Sequence, residues 1–449
     1  MKPSYDELFE TVRLLSAANF KLLEENKRLQ KRIAELEARL NLNSDNSSKP
    51  PSTDQKKNKQ APKGGARKGH AGHHRKLYSE DQISKRVISA LTECEHCGCK
   101  TLEKKAPHIF QQVELPEIKP FVTQIELEKA RCCSCNRNLI APFPREYDNS
   151  SFGPKLISFI GACSSVYRMS KRTTQILLKT LCNIEISVGS IPAMERKVSE
   201  GLQSPYNSLA DKINERKVAY VDETSFRQSA RTHYVWPATT KQEALIRILP
   251  RRNLESLEMI RPRCHPGITV TDRYQVYAYG RHQYCLAHIK RDFKKFSERA
   301  SPDKEIGNRA LFELKEIFKA CRLSCRKLMQ QHVYYRKKRL QEILYDALAN
   351  GSKPLSSFAD RLLNHFHKLF LFTRYSEVEC TNNAAERTLR HIVLWRKTSY
   401  GTQSGEGSRF MERAVSIWMT LKKQGREVLP YFEQAYRATF QPGVKAPSI

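Results

Sequence analysis

The chain has 449 residues, and its 78 Lys and Arg against 47 Asp and Glu give a formal net charge of +31. This excess predicts a polyanionic partner, and nucleic acid is favoured over a membrane surface. We find no apolar run near the ~18 residues of a spanning helix. Residues 1–7 lack the apolar core of a signal peptide. We therefore expect a protein that stays in the compartment where it is made and has several domains.

A heptad repeat occupies residues 1–42. Leucine recurs every seven residues, and Asn19 and Asn26 fall four residues after two of these leucines. Because a buried Asn fixes register and strand number, the pattern predicts a parallel dimeric coiled coil. The alternative is an amphipathic helix that packs on its own chain. The repeating leucines are Leu8, Leu15, Leu22, Leu29 and Leu36.

A basic segment rich in Pro and Gly follows over 43–80. Residues 49–76 contain nine Lys or Arg and a single acid, Asp54. This composition predicts a disordered linker, which either lies along phosphates or is simply solvated.

Residues 81–150 carry two CxxC pairs separated by 34 residues, with strand-like runs at 108–113 and 121–127 between them. The chain has thirteen cysteines. In a reducing cytosol, clustered cysteines indicate metal binding, whereas scattered ones are small core residues. The spacing therefore predicts a zinc ribbon, against the alternatives of a redox motif or packed thiols. The predicted structural zinc ligands are Cys94, Cys97, Cys132 and Cys135. Other candidate ligands beside them are Cys99, Cys133 and His96.

Helical patterns at 156–166, 171–181 and 191–198 are joined by short polar segments. They predict a helix-turn-helix-like DNA-binding unit over 151–215, with 191–198 as the candidate groove helix. The alternative is a trio of helices that serves only packing.

Two strand patterns end in an acid. The runs 217–226 and 267–272 each have an apolar face that continues to a carboxylate, Asp222 in the first and Asp272 in the second. Between them lie two further strand patterns, 232–239 and 243–249, and a helical one, 253–260. This is the element order of a ribonuclease H-like α/β core, in which the first and fourth strands are neighbours. We expect such a core over 216–425, with a helical insertion at about 300–375.

A third acid, Glu386, begins a helical pattern rich in cations. It is a candidate to complete a two-metal site with the two aspartates. The structural alternative is a capping box in Asn383-Ala-Ala-Glu386 together with an i,i+4 pair to Arg390. The cations available for a flanking DNA phosphate are Arg387, Arg390, Arg396 and Lys397. Residues 426–449 read as a C-terminal helix and tail.

Several motifs together resemble one family. They are Val221-Asp222-Glu-Thr224, Thr271-Asp272-Arg-Tyr274, Tyr284-Cys285-Leu-Ala-His288 and Asn382-Asn383-Ala-Ala-Glu386-Arg387. With the zipper, the linker and the CxxC pairs, they resemble the DDE transposases of the insertion-sequence-66 type over nearly the whole chain.

The resemblance implies that Asp222, Asp272 and Glu386 are catalytic and bind two Mg²⁺ ions. It also makes His288 a candidate contact for the scissile phosphate, against the alternative of a histidine packed at a helix start, whereas Cys285 is expected to be a core thiol. There are two departures from the family pattern. Thr381 stands where an acid is common, and Arg273 stands where Gly usually follows the second Asp.

We therefore expect a multidomain α+β DNA transposase of a bacterial insertion sequence, cytoplasmic and nucleoid-associated. Its expected partners are the terminal inverted repeats, target DNA, a second copy bound through the zipper, and small accessory proteins of the same element. One alternative is a catalytically inactive, transposase-derived dimeric regulator that binds DNA. Another is a ribonuclease H-like nuclease acting in repair.

Overall fold

The computed structural model describes residues 4–40, 75–103, 105–147, 150–278, 280–299 and 302–449, and most of the predicted basic linker lies outside them. Within these residues the chain has mixed α and β structure. None of the described helices combines the length and apolar character that crossing a membrane requires.

The N-terminal helix α1 spans Tyr5–Leu40 and confirms the helix expected from the heptad repeat. The repeating leucines are exposed on it, for example Leu15 at 64% and Leu22 at 65%. In a coiled coil, a helix packs against a second helix through such a stripe of leucines. Pairing through that stripe stays a prediction.

The segment after the linker contains little regular structure. A 3-10 helix spans Glu80–Gln82, and β1 (Lys129–Arg131) pairs antiparallel with β2 (Asn138–Ile140). The strand-like runs at 108–113 and 121–127 form no strand. Their apolar side chains stay exposed, with Phe121 at 95%, and a strand without a buried face or a paired edge is not stable.

Four helices precede the main sheet: α2 (Pro154–Ser165), α3 (Lys171–Cys182), α4 (Ser190–Gly201) and α5 (Gln203–Glu215). The three helical patterns predicted in this region are confirmed. Apolar residues of α2, α4 and α5 join one hydrophobic core with the sheet and the C-terminal helices. Ile157, Ile191 and Leu209 are completely buried there.

The main sheet has six strands among the described residues. They are β3 (Val218–Val221), β4 (Thr224–Gln228), β5 (Arg231–Thr239), β6 (Ala244–Leu249), β7 (Ile268–Thr271) and β8 (Arg281–Tyr284), with α6 (Leu254–Glu258) between β6 and β7. β5 pairs antiparallel with β3, β4 and β6, whereas β3, β7 and β8 run parallel. The predicted element order is confirmed, except that the first strand is interrupted at Asp222 and Glu223.

Helices fill the region predicted as an insertion, about 300–375, and also the stretch 286–297 directly before it. They are α7 (Leu286–Ser297), α8 (Asp303–Ala320), α9 (Arg326–Asn350), α10 (Lys353–Asn364), a 3-10 helix (Phe366–Leu369) and α11 (Leu371–Arg374). Their apolar faces form a second core with residues of β3, β7 and β8. Phe293, Leu314 and Leu344 are completely buried in it.

Three helices complete the chain: α12 (Asn383–Ser399), α13 (Gly405–Lys423) and α14 (Val428–Phe440). α13 covers the outer edge of β6 with side chains spaced four residues apart. Ser416 Oγ accepts the Ile246 N–H at 2.8 Å, and Thr420 Oγ1 accepts the Ala244 N–H at 3.0 Å. Glu412 accepts the Ile248 N–H in the same way. The edge of the sheet is thereby closed by a helix.

Glu412 makes stability depend on pH. Burial raises its pKa to about 7 from the ordinary 4.5. Since the folded pKa exceeds the unfolded one, its contribution to stability is fully present below about pH 4.5 and is lost as pH rises through 7. Glu412→Gln keeps an acceptor and removes the charge. Between pH ~5 and pH ~8 we expect wild type to lose about 2–3 kcal/mol more unfolding free energy than the variant, measured by urea denaturation.

The matched control is Glu427→Gln, which changes an exposed carboxylate. It should retain the wild-type pH dependence. Identical pH profiles for Glu412→Gln and wild type would contradict the prediction.

Candidate functional site

The two aspartates lie together at one edge of the sheet. β3 and β7 pair in parallel, with Tyr220 opposite Val270. Asp222 and Asp272 follow directly after these strands, so their side chains meet, as the sequence predicted. Each carboxylate is oriented by a nearby amide: Asp222 Oδ1 accepts the Glu223 N–H and Asp272 Oδ1 accepts the Tyr274 N–H, both at 2.9 Å.

Glu223 is a third carboxylate in this group, and the sequence analysis missed it. Ligand oxygens of Asp222, Glu223 and Asp272 all lie within 4.8 Å of one another. Arg252 Nε donates to Glu223 Oε1 at 2.8 Å, and the buried Tyr277 hydroxyl donates to the other oxygen. The only sequence signal was the second acid directly after Asp222.

Two of the carboxyl groups, those of Asp222 and Glu223, have raised pKa values. Burial raises the pKa of Asp222 well above its usual value, and Glu223, Asp272 and Glu386 raise it further. Burial and Asp272 also raise the pKa of Glu223, against the opposing effect of Tyr277 and Arg252. A partly buried cluster of acids binds either protons or a cation. Oxygen donors of this kind suit a hard divalent ion such as Mg²⁺.

Glu386 lies in the first turn of α12, beside the aspartates but in a different ligand group. Its Oε1 is 3.9 Å from His288 Nδ1, and a ligand atom of Cys285 completes a group of three within 4.8 Å. Glu386 is close enough to raise the pKa of Asp222. The structure thus brings all three predicted acids into one region, in two adjoining ligand groups.

The capping-box interpretation of Glu386 is wrong. The N-cap of α12 is Asn382 rather than Asn383, and its side chain makes no capping bond. Instead Asn382 Nδ2 donates to the Val221 carbonyl at 2.8 Å. This bond ties the start of α12 to the end of β3 and so holds Glu386 beside Asp222.

His288 and Cys285 stand at the start of α7. Burial and Arg291 lower the pKa of His288, against the opposing effect of Glu386 and Asp272. Cys285 is completely buried, and burial raises its pKa to about 11. Its sulphur accepts the Asn382 N–H at 3.1 Å. Cys285 is therefore packed as the core thiol that the sequence predicted, while it also contacts the loop that carries the α12 N-cap.

The four predicted phosphate-binding cations differ in their surroundings. Arg387, Arg390 and Lys397 are exposed on α12. Arg396 is only partly exposed and turns toward the sheet. Its guanidinium donates to Thr224 Oγ1 at 3.0 Å and also to the Ser225 carbonyl. The structure therefore gives Arg396 a role in holding α12 on β4, whereas the side chains of the other three are exposed at the surface.

The two CxxC pairs form turns of the same design. In each, the first Cys N–H bonds to the carbonyl five residues later, and its carbonyl accepts the N–H four residues later. The four bonds, all 2.8 or 2.9 Å, are Cys94 N to Cys99 O, Gly98 N to Cys94 O, Cys132 N to Arg137 O and Asn136 N to Cys132 O. Backbone N–H groups lower the pKa of the Cys94 and Cys132 thiols. Among the described residues, the groups of three or more ligand atoms within 4.8 Å of one another do not include these cysteines. The sulphur atoms of the two turns are therefore not gathered into one four-ligand site.

Arg273, one of the departures from the family pattern, is turned away from the carboxylates. It pairs with Asp292 on α7, and its guanidinium carbon lies 4.8 Å from the centre of the Phe358 ring on α10. The side chain therefore joins the strand end that carries Asp272 to the helical insertion.

Fold and site together define an α/β protein that gathers carboxylates where two parallel strands end. Comparison with protein-family models gives the family: the model described as "Transposase IS66 family" matches residues 150–409, more than half of the chain. The chain belongs to this transposase family, as the motifs indicated. Membership implies DNA as a partner and the use of a divalent metal ion. A second model, described as "Family of unknown function (DUF6444)", matches residues 3–76. A search of curated proteins found no match.

The contrast between Arg396 and Arg390 can be tested directly. Because Arg396 bonds to β4, we expect Arg396→Ala to lower the free energy of unfolding by about 1–3 kcal/mol. Arg390→Ala should leave stability within about 0.5 kcal/mol of wild type. It should also weaken DNA binding. The slope of the logarithm of the binding constant against the logarithm of the salt concentration should decrease in magnitude by about one. Denaturation and salt-dependent binding assays on both variants make the comparison. Equal stability of the two variants would contradict this assignment.

Proposed function

We propose that the chain is the DNA transposase of a bacterial insertion sequence. In this proposal it binds the terminal inverted repeats and catalyses phosphodiester cleavage and strand transfer into target DNA, with Asp222, Asp272 and Glu386 as the catalytic acids. One observation carries the proposal. Three acids far apart in sequence converge at the ends of β3 and β7, where burial and mutual repulsion raise the pKa of Asp222.

The sheet supports a ribonuclease H-like assignment for the core. Its first strand, β3, lies between an antiparallel neighbour, β5, and a parallel one, β7. β8 extends the parallel side, and β6 extends the antiparallel side. The pairing of β3 with β7 is the one expected from the sequence, whereas β8 was not predicted. The carboxyl ends of β3 and β7 share an edge, and in this proposal an acid from a later helix joins them there.

The donor set fits magnesium. Asp222, Asp272 and Glu386 would hold two ions, and Glu223 lies within reach of the same position. When bound, such ions activate the attacking oxygen and stabilise the leaving oxygen of an in-line displacement at phosphorus. The chain's own contribution is to hold the carboxylates in place. Amides orient both aspartates, and the bond from Asn382 to Val221 positions Glu386.

Residues around the acids would orient the DNA. Arg387, Arg390 and Lys397 are exposed on the helix that carries Glu386, so they would contact phosphates beside the scissile bond. His288 Nδ1 lies 3.9 Å from Glu386, which makes it a candidate contact for the scissile phosphate itself. Arg396 is assigned a supporting role, since its guanidinium is bonded to β4.

The N-terminal half would supply assembly and further DNA contacts. The exposed leucines of α1 would pair two copies in a parallel coiled coil. Cys94, Cys97, Cys132 and Cys135 would bind a structural zinc ion, for which the two matched turns and the lowered pKa values of Cys94 and Cys132 are suitable. The helical segment 151–215 would bind DNA. A cytoplasmic, nucleoid-associated location and small accessory proteins complete the proposal.

A transposase-derived regulator without catalysis is the rival function. The zipper, the zinc turns and the charge of +31 suit it equally well. It has no use, however, for a partly buried acid such as Asp222 beside two further carboxylates, which is destabilising without a bound cation. The acids therefore favour the enzyme.

Cleavage tests the proposal. With DNA that carries the ends flanking this gene, with Mg²⁺ and with any companion proteins, we expect wild type to cut and join strands. Asp272→Asn and Glu386→Gln should bind the DNA ends with unchanged affinity. Their cleavage activity should fall by more than about 100-fold, because mutation of a residue that merely supports a metal ligand already costs roughly 10–100-fold. Asp360→Asn, an exposed acid on α10, is the matched control and should remain active. End binding without cleavage by wild type would instead support the regulator.

Pairing through α1 is tested separately. Leu15→Glu together with Leu22→Glu places charges on the leucine stripe, and we expect the dimer to weaken at least about a hundredfold, since each tenfold needs only about 1.4 kcal/mol. Analytical ultracentrifugation measures the association of the full chain. Lys21→Glu on the same helix is the control and should remain dimeric. A monomeric wild type, or an unchanged dimer in the double variant, would refute pairing through this stripe.

A further inference from the structure

Cys285, His288 and Glu386 form a ligand group of a different chemical kind from the aspartates. Each offers one ligand atom, and the three atoms all lie within 4.8 Å of one another. One donor is a thiol, one an imidazole nitrogen and one a carboxylate oxygen. Thiol and imidazole donors favour zinc and related transition metals, whereas Mg²⁺ favours oxygen alone.

The fold holds two of these donors rigidly. Cys285 is the N-cap of α7 and His288 lies three residues later, in its first turn, so both side chains share one end of the helix. The Leu286 N–H donates to the Cys380 carbonyl at 2.9 Å, which fixes the start of α7 against the loop before α12. Because Glu386 is in the first turn of α12, two helix starts face each other across the group.

The geometry is close to that of a three-ligand zinc site. With bonds of about 2.0–2.3 Å, two ligands of a tetrahedral zinc ion lie roughly 3.3–3.7 Å apart. His288 Nδ1 and Glu386 Oε1 are 3.9 Å apart. Movements of a few tenths of an ångström would bring these two atoms to coordination distance, with a fourth position left for water.

The His288 nitrogen supplies an independent indication. Its Nδ1 is buried from solvent and has no hydrogen-bond partner among the described residues. A buried polar atom normally has a partner, and an unpaired one requires an explanation. The atom lies 3.9 Å from Glu386 Oε1, and a ring nitrogen of His288 lies within 4.8 Å of the Cys285 sulphur. A metal ion at the centre of the group would bond all three.

We propose that Cys285, His288 and Glu386 bind a single zinc ion, and that this ion withdraws Glu386 from the magnesium site. The regulatory part rests on the proposed function, because it assigns Glu386 to both sites. Zinc is the expected occupant because it binds thiolate and imidazole ligands more strongly than Mg²⁺ does. A coordinated thiol loses its proton to solvent. The transposase would then be inactive whenever this site is filled, even with Mg²⁺ in excess.

Metal binding is the first test, and it needs no DNA. The full chain is titrated with Zn²⁺ against a chromogenic chelator, in parallel with Cys285→Ser, His288→Asn and the control Cys163→Ser, which alters another completely buried thiol. We expect Cys285→Ser and His288→Asn each to bind one zinc ion fewer per chain than wild type and the control. The thermal unfolding of each variant is recorded to show that it is folded. If one of the two site variants does not fold, the other still tests the proposal. Equal zinc stoichiometry and affinity in all four proteins would overturn the proposal.

Cobalt provides a spectroscopic check on the ligand. Co²⁺ is added to chains whose CxxC cysteines are already saturated with Zn²⁺. The near-ultraviolet charge-transfer band of a thiolate-bound Co²⁺ should appear in wild type and in Asp222→Asn, which leaves this group intact, and be absent from Cys285→Ser. A band retained by Cys285→Ser would exclude its sulphur as a ligand.

Zinc inhibition tests the regulatory part. Mg²⁺-dependent cleavage is measured with increasing Zn²⁺, each protein relative to its own zinc-free rate. We expect Cys285→Ser to require at least about tenfold more zinc than wild type for half inhibition, which corresponds to the loss of one strong ligand. Equal inhibition would remove the regulatory claim. Zinc binding without any cleavage by wild type would leave the metal site standing and overturn the proposed function, so the two failures are distinguishable.

Discussion

Negative charge is concentrated where β3 and β7 end, and the fold must hold four carboxyl groups there against their mutual repulsion. Two charges about 4 Å apart repel each other by roughly 4 kcal/mol at an effective dielectric constant of 20. Arg252 offsets part of this charge at Glu223. A bound proton or cation relieves the remaining repulsion, as the raised pKa of Asp222 indicates, while packing holds the ends of β3 and β7 in place. The Tyr220 hydroxyl accepts the Glu379 N–H at 3.1 Å, and the Asn382 side-chain amide donates to the Val221 carbonyl. These two hydrogen bonds join the loop before α12 to β3.

The helix α12 transmits this constraint to the rest of the molecule, because it belongs to both hydrophobic cores. Ala384 and Ala385 in its first turn are part of the core under the helical insertion. Leu389, Ile392 and Trp395 are part of the core shared by the sheet and the helices α2 to α5. Glu386 lies at the junction between them. Its position relative to the aspartates therefore depends on both cores being formed, although it lies more than a hundred residues from either aspartate in sequence.

The sequence was sufficient to predict the adjacency of Asp222 and Asp272, because alternating apolar residues define a strand face and element order limits the topology. It was insufficient for Glu223. Strict alternation assigns Glu223 to the opposite face, but the strand breaks after Val221 and resumes at Thr224, which lets both acids point to the same site. It also could not separate Arg396 from its neighbours, since only the packing of α12 on β4 decides which cation is bonded internally.

The position after Asp272 shows how one residue connects the site to the helical insertion. Gly there would leave the strand end without a side-chain contact to α7 or α10. Arg273 instead pairs with Asp292 and stacks on Phe358, which is 4% exposed within the second core. A guanidinium over an aromatic ring and beside a carboxylate is stabilised by both, and more strongly where water is excluded. The residue next to Asp272 is therefore held by side chains of α7 and α10, so the position of the strand end depends on how these helices pack.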